Sequence, residues 1–257
     1  MKKYLTSLLV MLLAITGCTQ PTPQGLKVVA TTTIVGDIVQ QIGGERIALT
    51  VLLPVGADPH TYEPRPQDVA AIHDAQVVFL NGLELEHSLE PIIAANATGK
   101  VIEVSDGIEA LPFVESTGDK EHTAGDPHVW MDPNNVIQWV ENIRETLTEI
   151  DPDGADIYKA NAESYTSKLL ELDQWIRQET AKVPDSNKKL VTDHQSLGYF
   201  SNRYGFEQAG LLLPSLSTNA SVSASDLAQV EGVIQSAGIK TIFIEVGASD
   251  ALAAQVA

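Results

Sequence analysis

Residues 155–182, ADIYKANAESYTSKLLELDQWIRQETAK, form one long amphipathic stretch with Ile157, Ala160, Tyr165, Leu169, Leu170, Leu172 and Ile176 among its apolar positions. Asp151-Pro152-Asp153-Gly154 breaks the helical pattern before it, and Pro184 ends it. At about 1.5 Å per residue, such a helix runs roughly 40 Å, long enough to reach across two lobes.

On both sides of this stretch, strands alternate with helices. Upstream, the strand Lys27-Val28-Val29-Ala30-Thr31-Thr32 leads into a helical pattern, Ile34, Ile38, Val39 and Ile42, closed by Gly43-Gly44. A second strand at 47–53 stops at Pro54, a third at 75–80 ends at Asn81-Gly82, and a fourth is Val101-Ile102-Glu103-Val104. Helices are expected at 67–74 and 85–95, and Pro133 opens another through Val136, Trp139, Val140, Ile143 and Leu147. Downstream, strands at 189–193, 207–212 and 241–245 alternate with helices at 195–204 and 225–237, and a further helix starts at Asp250. The alternation predicts an α/β fold of two lobes, each with a central, mainly parallel sheet flanked by helices, joined by one long rigid helix. The expected divisions are a leader at 1–17, a tether at 18–25, a first lobe at 26–154, a linking helix at 155–183 and a second lobe at 184–257. With about three strands against four in the first, and an end inside a helix, the second lobe reads as incomplete.

A formal charge of −18 repels nucleic acid and anionic lipid headgroups and attracts cations. Lys2 and Lys3 precede the apolar run Leu8-Leu9-Val10-Met11-Leu12-Leu13-Ala14-Ile15, too short to span a bilayer, and the run ends in Ile15-Thr16-Gly17-Cys18. This resembles a bacterial lipobox, so the mature chain is expected to be exported to the periplasm or the outer face of the membrane and held by lipid on Cys18. One acyl chain anchors only marginally, so stable attachment needs several. Cys18 is the only cysteine, which excludes a disulfide framework and a thiolate metal site.

The chemistry points to histidine. The triplet Asp-Pro-His occurs twice, as Asp58-Pro59-His60 and Asp126-Pro127-His128, and His194 follows an apolar strand in Leu190-Val191-Thr192-Asp193-His194. Each of the three lies where a strand end or proline-braced loop leads toward a helix, and ligands in open α/β sheets bind beyond the carboxyl ends of strands. Three such loops can face one another across a cleft. Neutral imidazole suits zinc, copper, iron and nickel, and an added carboxylate favours harder ions such as manganese. A proline before the histidine restricts the backbone and pre-sets the direction of the ligand. Asp58, Asp126, Asp132 and Asp193 are placed to accept imidazole N–H bonds, although Asp126 and Asp132 also suit turn and N-cap roles. His73 and His87 lie in helical contexts near other charges and read as surface residues; His122, in a polar loop, has at most an accessory part in collecting metal.

Together these residues resemble the cluster A-I metal-binding family, the zinc/manganese solute-binding lipoproteins of bacterial ABC importers, some of them known as adhesins. The resemblance runs from Val28 to the end of the chain and rests on four segments. They are Gly56-Ala57-Asp58-Pro59-His60-Thr61-Tyr62-Glu63-Pro64, Asn81-Gly82-Leu83-Glu84-Leu85-Glu86, Asp126-Pro127-His128-Val129-Trp130-Met131-Asp132-Pro133, and Thr192-Asp193-His194 with Gly198-Tyr199-Phe200 and Tyr204-Gly205. The resemblance implies two lobes with metal between them, His60 and His128 coming from the first and His194 from the second. It implies a fourth ligand, commonly an aspartate near the end of the second lobe, for which this chain has no matching segment; Glu245 is the candidate substitute. It further implies a monomer that delivers its ion to a membrane permease. The resemblance implies Zn2+ from histidine at position 194, and intrinsic affinity at a nitrogen-rich site also favours Zn2+, with Mn2+ second. Two other readings compete with transport. One is a metal-dependent hydrolase with Glu63 or Asp126 as base, against which no His-Glu-x-x-His helix and no nucleophile elbow occurs. The other is a surface adhesin with a structural metal.

Overall fold

A computed structural model describes residues 25–112, 124–213, 222–245 and 251–256. The expected leader, Cys18, most of the tether and His122 lie outside the described residues. The first lobe carries β1 (Leu26–Ala30), α1 (Thr33–Gly43), β2 (Ile47–Val51), α2 (Pro66–Asp74), β3 (Val77–Leu80), α3 (Glu90–Asn96), β4 (Lys100–Glu103) and α4 (Pro133–Ile150). The long helix α5 spans Ala155–Thr180. Beyond it come β5 (Lys189–Thr192), α6 (Gly198–Tyr204), β6 (Glu207–Leu211), α7 (Ala224–Ala237), β7 (Ile242–Phe243) and α8 (Ala251–Val256). Both sheets are parallel, with strand orders β2-β1-β3-β4 and β6-β5-β7.

The central strands of the first sheet are apolar on both faces, as a sheet covered by helices on each side requires. Val28, Ala30, Val77 and Phe79 pack with Ile38 and Ile42 of α1, Trp139 and Ile143 of α4, and Tyr158 and Leu169 of α5. Val29 and Val78 point the other way, onto Ile72 of α2 and Ile93 of α3. The period of two along the strands thus separates two cores. The described core of the second lobe is smaller and centres on Val191, Leu212, Val230 and Val256.

Helix α5 is pinned at both ends. Arg46 donates from Nε and a terminal nitrogen to Asp151, each at 2.7 Å, and the Tyr158 hydroxyl donates to the same carboxylate at 2.6 Å. One turn on, Asn161 donates to the Ile42 carbonyl at 2.9 Å, tying α5 to the end of α1. Toward the second lobe, Asp173 accepts from Arg203 (3.1 and 3.2 Å), Tyr204 (3.0 Å) and Arg177 (3.0 Å). Burial pushes the Asp173 carboxyl up, but these donors outweigh it and hold it at about 2. No helix among the described residues is long and apolar enough to cross a membrane.

The expected helix from Leu85 is the main departure. Residues 83–89 turn instead, and α3 starts only at Glu90. Leu83 and Glu84 have φ of 55° and 61°, in the left-handed region that a helix cannot include. The buried carboxylate of Glu86 reaches back to accept from the main-chain N–H of Asn81 (2.8 Å) and of Gly82 (3.4 Å), and from the Thr31 hydroxyl (2.5 Å). A side chain therefore takes donors at the end of β3 that the next element leaves unmet. At the second sheet, the strand expected at 241–245 shortens to Ile242–Phe243, and the helix expected from 195 begins at Gly198.

Burial pushes the Glu86 carboxyl from 4.5 to about 7, against the opposing pull of its three donors. A carboxyl raised in the folded state contributes stability that is complete below about pH 4.5 and is lost as pH rises through 7. At ~1.4 kcal/mol per pH unit, the whole effect is roughly 3 kcal/mol. Urea unfolding at pH 5 and pH 8 is expected to give a fall in stability for the native chain that is largely absent in Glu86→Gln. Parallel pH profiles for the two proteins would refute the assignment.

Candidate metal centre

Each histidine of the candidate site is set by an aspartate just upstream. After β2, the chain turns through Pro54 to Asp58, whose Oδ1 accepts the main-chain N–H of His60 at 2.9 Å. Asp126 does the same for His128 at 2.9 Å, and its Oδ1 also lies 2.8 Å from His128 Nδ1. At the end of β5, Asp193 Oδ1 accepts the His194 main-chain N–H at 2.8 Å and lies 3.0 Å from its Nδ1. The Thr192 hydroxyl closes this last turn by donating to the His194 carbonyl at 2.6 Å. With Nδ1–H given to a carboxylate, the free lone pair of His128 and of His194 is on Nε2, aimed away from the aspartate.

Those lone pairs meet. His128 Nε2 and His194 Nε2 are 3.3 Å apart, and His60, His128 and His194 each offer a ring nitrogen within 4.8 Å of the others. Ring centroids are 5.5 Å (His60–His128), 5.9 Å (His60–His194) and 5.2 Å (His128–His194). His128 and His194 are buried, and His60 is partly exposed. A second group, Asp193, His194 and Glu245, shares His194 and puts carboxylate oxygens beside it. Glu245 is tied in through its own N–H, which donates to Asp193 Oδ2 at 2.9 Å.

The electrostatics favour a cation here. Burial lowers the His194 pKa, but the Asp193 hydrogen bond and the charges of Asp193, Glu245 and Asp58 prevail and raise it. Asp193 is likewise pushed up by burial, yet held below the usual carboxylate range by His194 and the Glu245 N–H. Burial raises Glu245, against the opposing pull of His194 and His128. The carboxylates around His194 thus favour positive charge on or beside its ring. Beside the cluster, a cavity of about 500 Å³ is lined by Asp58, Trp130 and Glu245 with Thr32, Pro54 and Leu85. The Trp130 ring meets that of His128 edge-on at 5.3 Å.

The other candidates fall elsewhere. His73 is exposed on α2 beside Asp74, and His87 and Glu63 are exposed. Asp132 caps α4 by accepting the Asn134 N–H at 2.9 Å and meets Arg203 at 3.5 Å, so it serves a helix end and a guanidinium. Three contributors had no role in the sequence reading. Asn81, fully buried, donates to the Pro127 carbonyl at 3.1 Å and so braces the turn of His128. Tyr199 and Trp130 also contact that turn. Their only sequence signal was membership of the quoted segments.

A cleft between two α/β lobes, with inward-facing histidines from both, is the architecture of a solute-binding protein. Comparison with known proteins agrees. Residues 28–257 match the model of the family described as zinc-uptake complex component A, periplasmic (ZnuA). The manganese-binding lipoprotein MntA of Halalkalibacterium halodurans is 37% identical over 253 residues, covering 95% of this chain and 82% of that protein. A manganese-bound periplasmic metal-binding protein from Candidatus Liberibacter asiaticus superposes with a TM-score of 0.75 at 33% identity, covering 89% of this chain and 83% of that one. A zinc-bound deletion mutant of ZnuA gives a TM-score of 0.80 at 28% identity, covering 91% of this chain and 86% of that one. The class is therefore the substrate-binding component of a metal ABC transporter, which is not an enzyme. Within it, the chain belongs to the ZnuA family.

Asp193→Asn removes the largest of the influences that raise His194 and leaves the burial, with Glu245 and Asp58 still in place. The His194 pKa is then expected to fall, as read by NMR titration of its ring protons; an unchanged value would refute the role given to Asp193.

Proposed function

We propose that His60, His128 and His194 together ligate one divalent transition metal between the lobes, with Glu245 as the adjacent oxygen donor, and that the chain hands this ion to an ABC permease. The supporting observation is the convergence of three imidazoles within 4.8 Å, two of them with Nδ1 tied back to a carboxylate. Manganese is the proposed cargo: a carboxylate beside three imidazoles softens the preference for nitrogen-loving ions, and the MntA relative is named for manganese. Zinc is the second reading, favoured by the three-nitrogen donor set, because the intrinsic affinity order puts zinc above manganese at such a site. The chain is exported and tethered by lipid on Cys18; the lipoprotein relative and the residues around Cys18 support this.

Calorimetry with manganese and zinc is expected to give one ion per chain, with binding weakened roughly 100-fold or more in His128→Ala, since removing a ligand exceeds the 10–100-fold typical of an orienting partner. Unchanged binding of both ions in that variant would sink the site. Growth on limiting manganese, and separately on limiting zinc, of cells lacking the chain decides the cargo: a defect rescued only by zinc would overturn the manganese assignment.

Protons compete with metal for the same ring nitrogens. Because the His194 pKa lies above its ordinary 6.5, affinity is expected to decline already on the alkaline side of that value and to keep falling as pH drops. Trp130 fluorescence, read at the edge of His128, follows the titration. An affinity flat between pH 8 and 5.5 would contradict ligation by imidazole.

A further inference from the structure

Helix α6 starts four residues after His194 and belongs in sequence to the second lobe, yet its side chains grip the His128 turn of the first. At its first residue, Gly198, an added Cβ would lie 2.4 Å from Asp126 Oδ2. Asp126 is fully buried, and its other oxygen is already held by the main chain and Nδ1 of His128, so it has no means of swinging aside without letting go of that ring. The Tyr199 hydroxyl donates to the Asp126 carbonyl at 2.8 Å and accepts the Leu111 N–H at 3.0 Å, while the Asp126 N–H donates to the Leu111 carbonyl at 2.9 Å. The Tyr199 ring is part of the first-lobe core. One turn later, Arg203 spans Asp132 at 3.5 Å and Asp173 of α5. Asp126 and Asp132 are the two ends of the turn that presents His128.

We infer that α6 is a clamp: Gly198, Tyr199 and Arg203 hold the His128 turn in its ligating geometry only while the lobes are closed, and so set how long the metal stays bound. Gly198 and Tyr199 are positioning residues that act through Asp126. Opening the cleft lifts α6 off this turn and frees the His128 ring, which couples lobe movement to release. The inference rests on the proposed ligation by His128.

The test is release of bound manganese and zinc into excess chelator, followed by Trp130 fluorescence, with association rates measured alongside. Gly198→Ala and Tyr199→Phe are each expected to raise the dissociation rate about 10–100-fold, the scale set by loss of a ligand's orienting partner. Association rates should change far less. In an Asp126→Ala background, where the colliding carboxylate is gone, Gly198→Ala should add no further acceleration. Equal effects of Gly198→Ala with and without Asp126, or native release rates in Tyr199→Phe, would overturn the clamp. His128→Ala is the control: retained binding there defeats the ligand assignment itself, whereas lost binding there with unaltered release in Gly198→Ala and Tyr199→Phe defeats the clamp alone.

Discussion

A single carboxylate oxygen, Asp126 Oδ1, takes both the main-chain N–H and the Nδ1–H of His128 inside a fully buried turn. A buried charge is tolerated only with such partners, and removing either leaves the other stranded. The aspartate therefore fixes two things together, the path of the turn and the nitrogen of His128 that faces the cleft. The surroundings serve that arrangement. Asn81 holds the Pro127 carbonyl, Glu86 organises the loop that carries Asn81, and Tyr199 holds the Asp126 carbonyl. Asp193 Oδ1 likewise takes both the main-chain N–H and Nδ1 of His194, so one local solution is used from both sides of the cleft.

Much of this was legible in order of residues. Strand–helix alternation predicted the parallel sheets, and the doubled Asp-Pro-His with His194 singled out the three histidines that each offer a ring nitrogen within 4.8 Å of the others. Both signals are local: one is a periodicity, the other a short motif with its own turn chemistry. What escaped was set by side chains that bond backward along the chain or pack across the fold. Leu85 to Ala95 has the composition of a helix, but Glu86 spends its carboxylate on Asn81 and Gly82, and no periodicity reveals a side chain that bonds backward. Tyr199 reads as an ordinary second-lobe residue, and only the folded chain puts its ring in the core of the other lobe.

Family membership and site geometry answer different questions. The family supplies the class, a metal transporter's binding component, while the donor set bears on the ion. The proposed donor set, three imidazoles with a carboxylate alongside, is mixed, softer than an oxygen cage and harder than a thiolate one. The acidic charge of the chain complements this by drawing cations of any kind toward it, so selection falls to the cleft.

Helix α5 runs 26 residues without a proline or glycine and is fastened at one end by Arg46, Asp151 and Tyr158 and at the other by Asp173 and Arg203. A rod of this kind has no joint; it flexes as a spring, over small angles. Any movement of one lobe against the other is therefore a bend shared along the whole rod, not a swing about a single residue.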